Sequence, residues 1–224
     1  FRNVPTITVT NLGANSLVTG DPVYKFTVTN PDASSDLMLY KVSFGISTSG
    51  PTTAFNVQDF ELRVGGVLVN ATPVYATDVE TVGGTLDAIE IVFDANEARR
   101  VPAGSSKEYV LSGTVAGMTA GTNSLNVKLL NDTSYPNLKY LMGKATAGSA
   151  DSIGINVAVG STDYSSSTNN TIWSPFSTTS PTTAATAEAN LDWTNSYGIP
   201  IYDKNGSLVT PTGSLSTQAS EKAI

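Results

Sequence analysis

Two pairs of carboxylates stand two residues apart, Asp59 with Glu61 and Asp78 with Glu80. On a strand, that spacing puts both carboxyls of a pair on one face. Glycoside hydrolysis needs two carboxyls at a set separation inside a sugar-binding cleft. No cleft-lining set of aromatics accompanies either pair, so solvated strand faces are the better reading. Oxygen-only calcium sites need several carboxylates and carbonyls close together. The best local clusters are Asp94-Ala95-Asn96-Glu97 and Asp203-Lys204-Asn205-Gly206. Neither has the calcium-loop spacing. No cofactor is expected, and structural calcium stays open only through loops that converge in space. Lys25 and Lys41 fall inside strand patterns, where a buried amine needs a partner and could form an isopeptide bond with an asparagine. Their alternation sets them opposite the apolar residues, which favours exposed lysines.

Composition narrows the chemistry further. The chain has no His and no Cys. That removes the Ser-His-Asp triad, a thiol nucleophile, the ordinary zinc and copper sites and iron–sulfur clusters. Twelve Lys and Arg against nineteen Asp and Glu give a formal net charge of −7, which argues against a nucleic-acid partner. No apolar run approaches the ~20 residues that span a bilayer. Ser and Thr supply 55 of 224 residues while charged residues are only 14%, a balance common on exported surfaces. Avoiding thiols is one way to survive outside a cell. The chain opens at Phe1 without Met, which fits a mature product after signal-peptide removal and fits a trimmed sequence equally.

The elements that would hold any site are strands. Thr6-Ile7-Thr8-Val9-Thr10 alternates with period two, as does Val23 to Thr29 with Tyr24, Phe26 and Val28 on one face. Leu37 to Ser47 is longer, with Met38, Tyr40, Val42, Phe44 and Ile46 as its apolar side. Further runs centre on Phe60 to Val64, Val67 to Val69, Val74-Tyr75, Ile89 to Phe93, Tyr109 to Val115, Leu125 to Leu129, Leu138 to Met142 and Ile153 to Val159. Thr19-Gly20-Asp21-Pro22, Asn30-Pro31-Asp32, Gly65-Gly66 and Pro102-Ala103-Gly104 punctuate them with turn chemistry. Asp94 to Arg100 could make one helical turn, which Pro102 would end. Roughly ten short strands with regular turns predict an all-β antiparallel sandwich whose two faces pack ~10 Å apart.

After about Gly160 the character changes. Ser161 to Thr171 is rich in Ser, Thr and Asn, and Ser177 to Thr186 has no apolar periodicity. Such stretches bury too little surface to offset their ordering entropy. Trp173 and Trp193 bracket them, and large rings seldom stay in water. The expected division is an N-terminal strand and tether over 1–20, a sandwich over 21–160, and a Ser/Thr-rich tail over 161–224. The tail is expected to be extended and pinned by its tryptophans to the sandwich or to a neighbouring subunit.

Three stretches taken together carry a resemblance. They are Tyr24-Lys25-Phe26-Thr27-Val28-Thr29 followed by Leu39-Tyr40-Lys41-Val42-Ser43-Phe44; Val101-Pro102-Ala103-Gly104-Ser105-Ser106-Lys107; and Ile172-Trp173-Ser174-Pro175 with Asp192-Trp193-Thr194-Asn195-Ser196-Tyr197-Gly198. In that order and spacing the chain resembles exported β-sandwich surface proteins of candidate phyla radiation bacteria, over roughly residues 1–200. The resemblance implies an extracellular, immunoglobulin-like structural module and carries over no catalytic residues.

The first strand is the sharpest functional candidate. A terminal strand on a Gly-containing tether can complete its own sheet or a neighbour's. Addition to a neighbour does not close on itself and so builds a filament. An ordinary in-chain edge strand stands level with it. The expected function is therefore a non-enzymatic subunit of an extracellular, cell-surface filament or pilus-like homopolymer. Its subunit interface would draw on Phe1, Val4, Ile7, Val9, Trp173 and Trp193. The alternative is a surface-layer or adhesin module that binds carbohydrate or a host surface. Asn70, Asn131, Asn169 and Asn205 head sequon-like triplets and are candidate glycan sites.

Overall fold

Burial with a period of two shapes the longest strands. In Pro22–Thr29 the side chains of Tyr24, Phe26 and Val28 turn inward between half-buried Lys25, Thr27 and Thr29. Ser106–Ala116 buries Tyr109 and Leu111 in the same way, and Ser124–Leu129 buries Leu125, Val127 and Leu129. Each strand thus has one face that must be covered by another layer. The computed structural model describes residues 4–10, 12, 18–49, 56–69, 74–75, 87–93, 97–117, 124–130, 171–174, 194–195, 199–203, 205–209 and 222–223.

Among the described residues fifteen strands follow in chain order: β1 Thr6–Val9, β2 Pro22–Thr29, β3 Leu37–Ser49, β4 Asn56–Val64, β5 Val67–Leu68, β6 Val74–Tyr75, β7 Asp87–Val92, β8 Arg100–Val101, β9 Ser106–Ala116, β10 Ser124–Leu129, β11 Ile172–Ser174, β12 Thr194–Asn195, β13 Ile201–Tyr202, β14 Leu208–Val209 and β15 Lys222–Ala223. A single 3-10 turn, Glu97–Arg99, is the helical piece among the described residues. One sheet runs β14-β13-β1-β2-β9-β4-β5. The other runs β12-β11-β3-β10-β15, with β7 and β8 also pairing along the long β3. The fold is an all-β, immunoglobulin-like sandwich.

The two sheets meet through aromatic rings. Phe44 of β3 lies 5.5 Å from Tyr24 and 6.0 Å from Phe26, both on β2, edge to face. Phe26 stacks on Tyr109 of β9 at 5.2 Å. Such pairs add about 0.5–1.5 kcal/mol each beyond the area they bury. Burial pushes the phenols of Tyr24 and Tyr109 well above the ordinary tyrosine range, with a backbone hydrogen bond at Leu129 pulling Tyr24 back in part.

One end of the sandwich is closed by a buried asparagine. Asn30 Nδ2 donates to the carbonyls of Ser35, Val101 and Pro102, and its Oδ1 accepts the Asp32 amide. Asp36 adds a second tie, accepting Arg100 Nε at 2.6 Å and the Ala103 amide at 3.0 Å. The turn after β2 is thereby locked to the turn before β9.

Two bulges depart from simple alternation. Trp173 pairs with Leu39 and Ile172 with Lys41, which leaves Tyr40 as an extra residue on β3. The phase changes there, so Leu37 and Leu39 enter the core with Val42, Phe44 and Ile46, while Met38 and Tyr40 do not. The sequence pattern alone had put Met38 and Tyr40 on the apolar face. In β4 the pairing slips between Gln58 and Glu61, and Asp59 adopts φ 50°. Gly113 lies across this bulge, where a Cβ would stand 2.9 Å from Val57 Cγ1. Phe60 Cδ1 at 3.2 Å and Gln58 O at 3.3 Å would crowd the same Cβ, so the position is fitted to glycine.

Lys25, half-buried, forms an ion pair with the exposed Glu108 at 2.9 Å. Lys41, by contrast, is 1% exposed, which corrects the expectation of a solvated lysine. It sits beside the Tyr40 bulge, opposite Val92 on one side and Ile172 on the other, so neighbouring strands flank it on both edges.

Candidate functional site

β1, the strand singled out by the sequence, lies between β13 and β2. Ile7 and Val9 are 2% and 5% exposed, and β1 pairs with β2 over Thr6↔Thr29 to Val9↔Phe26. The Thr10 amide continues the ladder to Lys25 O at 2.9 Å. The expected donor strand thus lies in its own chain's sheet, because Ile7 and Val9 match the inward phase of Val28 and Phe26. The tether returns along β9. Gly20 N donates to Gly113 O, and Thr19 Oγ1 both donates to Val115 O and accepts the Val115 amide.

The far side of β1 is served from the other end of the chain. β13 lies parallel to it, with Ile7↔Ile201 and Thr8↔Tyr202 in register and Ile7 N donating to Pro200 O at 3.0 Å. Among the described residues this is the one parallel pair in a sandwich otherwise built antiparallel. Ile199 and Ile201 are both buried. β13 turns into β14 through a self-contained hairpin. Asp203 Oδ1 accepts the amides of Asn205 and Ser207, Asp203 N donates to Ser207 O, and Gly206 takes φ 78°.

The same short segment also edges the second sheet. β12 pairs with β11 through Trp173↔Thr194 and Ile172↔Asn195. Asn195 and Ile201 are six positions apart (195 to 201), a reach of about 20 Å when extended. That is ample for the ~10 Å between packed sheets. The described strands of this C-terminal strap, β12 on β11 and β13 on β1, thus pair with both sheets.

Magnitudes show how lightly the strap is held. Burying Ile199 and Ile201 contributes about 1.5–3 kcal/mol each. Ordering Ile199 to Asp203 costs about 1–2 kcal/mol per residue. A few ladder hydrogen bonds return about 0.5–1.5 kcal/mol each. The terms nearly cancel.

The remaining sequence candidates fall as follows. Val4 is half-buried against the core, and Trp173 is buried within it at 2% exposure, inside its own sandwich. Asn205 is exposed at the tip of the β13–β14 hairpin. Phe1, Trp193, Asn70, Asn131, Asn169, Asp78 and Glu80 lie outside the described residues. Glu61 is held by Arg63 through Nε at 3.1 Å and Nη2 at 2.8 Å, and Asp59 sits in the β4 bulge. Among the described residues no three His, Cys, Asp or Glu side chains gather as a metal site, and no helix is long and apolar enough to cross a membrane. The sequence reading passed over Ile199 and Ile201. Their period-two spacing around Pro200, followed by Asp203 and Asn205-Gly206, was the available signal.

No protein-family model matches this sequence, and no curated protein matches it. Solved structures show weak similarity. A cohesin module from a Clostridium perfringens family 33 glycoside hydrolase shares 12% identity over 57% of this chain and 82% of its own, with a TM-score of 0.25. CaCohA2 from Clostridium acetobutylicum, solved in solution, shares 17% over 56% and 75%, also at 0.25. A family 18 chitinase from Chromobacterium violaceum shares 18% over 55% of this chain and 18% of its own, at 0.18. The fold assignment rests on the strand pairing and not on these overlaps.

Proposed function

We propose that this chain is a non-enzymatic structural subunit of an extracellular, cell-surface polymer, and that copies join by β-strand complementation at the β1 flank. The observation that carries the reading is the pairing of β1. Its outer edge is completed by a two-residue parallel strand that arrives about 190 positions later in the chain. A joint of this kind supplies main-chain hydrogen bonds for affinity and alternate apolar side chains for register. The Ser/Thr-rich, low-charge composition and the resemblance to exported surface proteins support an external setting. Glycans on the exposed Asn205 would fit the same setting.

Electron microscopy with size-exclusion chromatography tests this. Purified protein is expected to form filaments, and a chain lacking residues 1–10 is expected to form none. Two-dimensional sheets would favour the surface-layer alternative. Folded monomers at every concentration would refute the polymer.

A further inference from the structure

The β13–β14 hairpin carries a chemistry that neither sheet needs. Asn205 and Gly206 stand exposed at its tip, and theirs is the one Asn-Gly step in the sequence. Such a step can modify itself. The glycine amide nitrogen gives up its proton to solvent and attacks the asparagine Cγ. A new N–C bond closes a five-membered succinimide, and the side-chain nitrogen leaves as ammonia. Water then opens the ring at either carbonyl, leaving aspartate or isoaspartate. No metal, oxidant or second protein is consumed. Glycine favours the attack because no Cβ shields its nitrogen.

Here the hairpin holds the nucleophile back. Gly206 N donates to Asp203 O at 2.9 Å, so its proton is engaged and its position fixed. The Asn205 and Ser207 amides both donate to Asp203 Oδ1 at 2.8 Å, and Asp203 N closes the turn on Ser207 O at 2.9 Å. One residue therefore pins both reacting partners. The clamp is exposed, and the strands behind it share only Ile201↔Val209 and Tyr202↔Leu208. Opening this hairpin costs far less than unfolding the sandwich.

We infer that Asn205 is a spontaneous deamidation site whose rate is set by opening of the β13–β14 hairpin, with Asp203 holding it shut. Each event replaces a neutral amide with a carboxylate beside that of Asp203. The isoaspartyl product also adds a carbon to the main chain, which takes Gly206 N out of register with Asp203 O. Both changes loosen the turn. A glycan on Asn205 would occupy the nitrogen that must leave, so the two modifications exclude each other. The site works the same way in a monomer or a polymer.

Peptide mapping by mass spectrometry tests this on the unglycosylated full chain, incubated in native buffer and in guanidinium. Asn205 is expected to convert to mixed aspartate and isoaspartate in both. The folded chain should be slower by about tenfold or more, the factor set by ~1.4 kcal/mol of local opening. Asp203→Ala should remove most of that difference in native buffer, with slow exchange at the Phe26 amide showing that the sandwich stays folded. Asp203→Asn keeps a side-chain acceptor and should stay near the parent rate. Equal rates for the folded and unfolded parent overturn the inference. So does a folded Asp203→Ala chain as slow as the parent, or an unfolded chain that keeps Asn205 intact.

Discussion

The β2–β9 ladder and the β1–β13 pair belong to one sheet but are held in opposite ways. β2 and β9 pair from Tyr24↔Leu111 to Thr29↔Ser106, bury Phe26 against Tyr109, and are locked at one end by Asn30. β1 and β13 share two register positions and one short apolar plug. The first region is a densely tied block. The second is a lightly tied edge, and in the proposed function it is the joint. A single sheet combines the two, because the paired length falls from seven positions between β2 and β9 to two between β1 and β13.

The comparison breaks most sharply if the block proves soft. Phe44→Ala removes the ring that meets Tyr24 and Phe26 across the sheets, and should cost about 3–5 kcal/mol in a guanidinium titration. A cost below about 1 kcal/mol would deny the block its role. High pH attacks the same block. Well below the ordinary phenol pKa of 10.0, folded and unfolded chains both keep the Tyr24 and Tyr109 protons. Above it the unfolded chain loses protons that the folded chain retains, so stability falls as pH rises, until the folded phenols ionise too. The slope approaches about 1.4 kcal/mol per pH unit for each tyrosine. Denaturant midpoints between pH 9 and 12 measure it, and Tyr109→Phe should halve the slope.

Smaller effects sharpen the contrast. Gly113→Ala forces a Cβ onto Val57 and should cost about 1–3 kcal/mol. Asn30→Ala leaves the buried Val101 carbonyl and the part-buried Ser35 and Pro102 carbonyls without this donor, for about 1–3 kcal/mol by thermal melt. Ile201→Ala should cost the folded subunit about 1 kcal/mol or less, since the strap detaches before a cavity is left behind. It should nonetheless abolish assembly. Equal losses for Ile201→Ala and Phe44→Ala would erase the distinction between joint and block.

Much of the block was legible in the sequence. Tyr24, Phe26 and Val28, then Val42, Phe44 and Ile46, then Tyr109 and Leu111, all follow the alternation that buries them. Ile7 and Val9 were equally readable as buried strand residues. Which sheet receives them was not, since alternation fixes a face and long-range pairing fixes the partner. The Tyr40 bulge was hidden for a related reason: an extra residue exists only relative to the strand beside it. Lys41 followed that error into burial. Asn30 read as an ordinary turn residue because its acceptors, Val101 and Pro102, lie about seventy positions away. The two-residue strands of the strap were too short for any periodicity to show.

Hydrogen exchange on assembled and dissociated protein tests the joint most directly. The amides of Ile7 and Tyr202, which face each other's strand in the parallel pair, should be protected far more in the assembled form, while those of Phe26 and Leu111 stay equally slow in both. Unchanged exchange at Ile7 and Tyr202, with new protection appearing elsewhere, would contradict a joint at this flank.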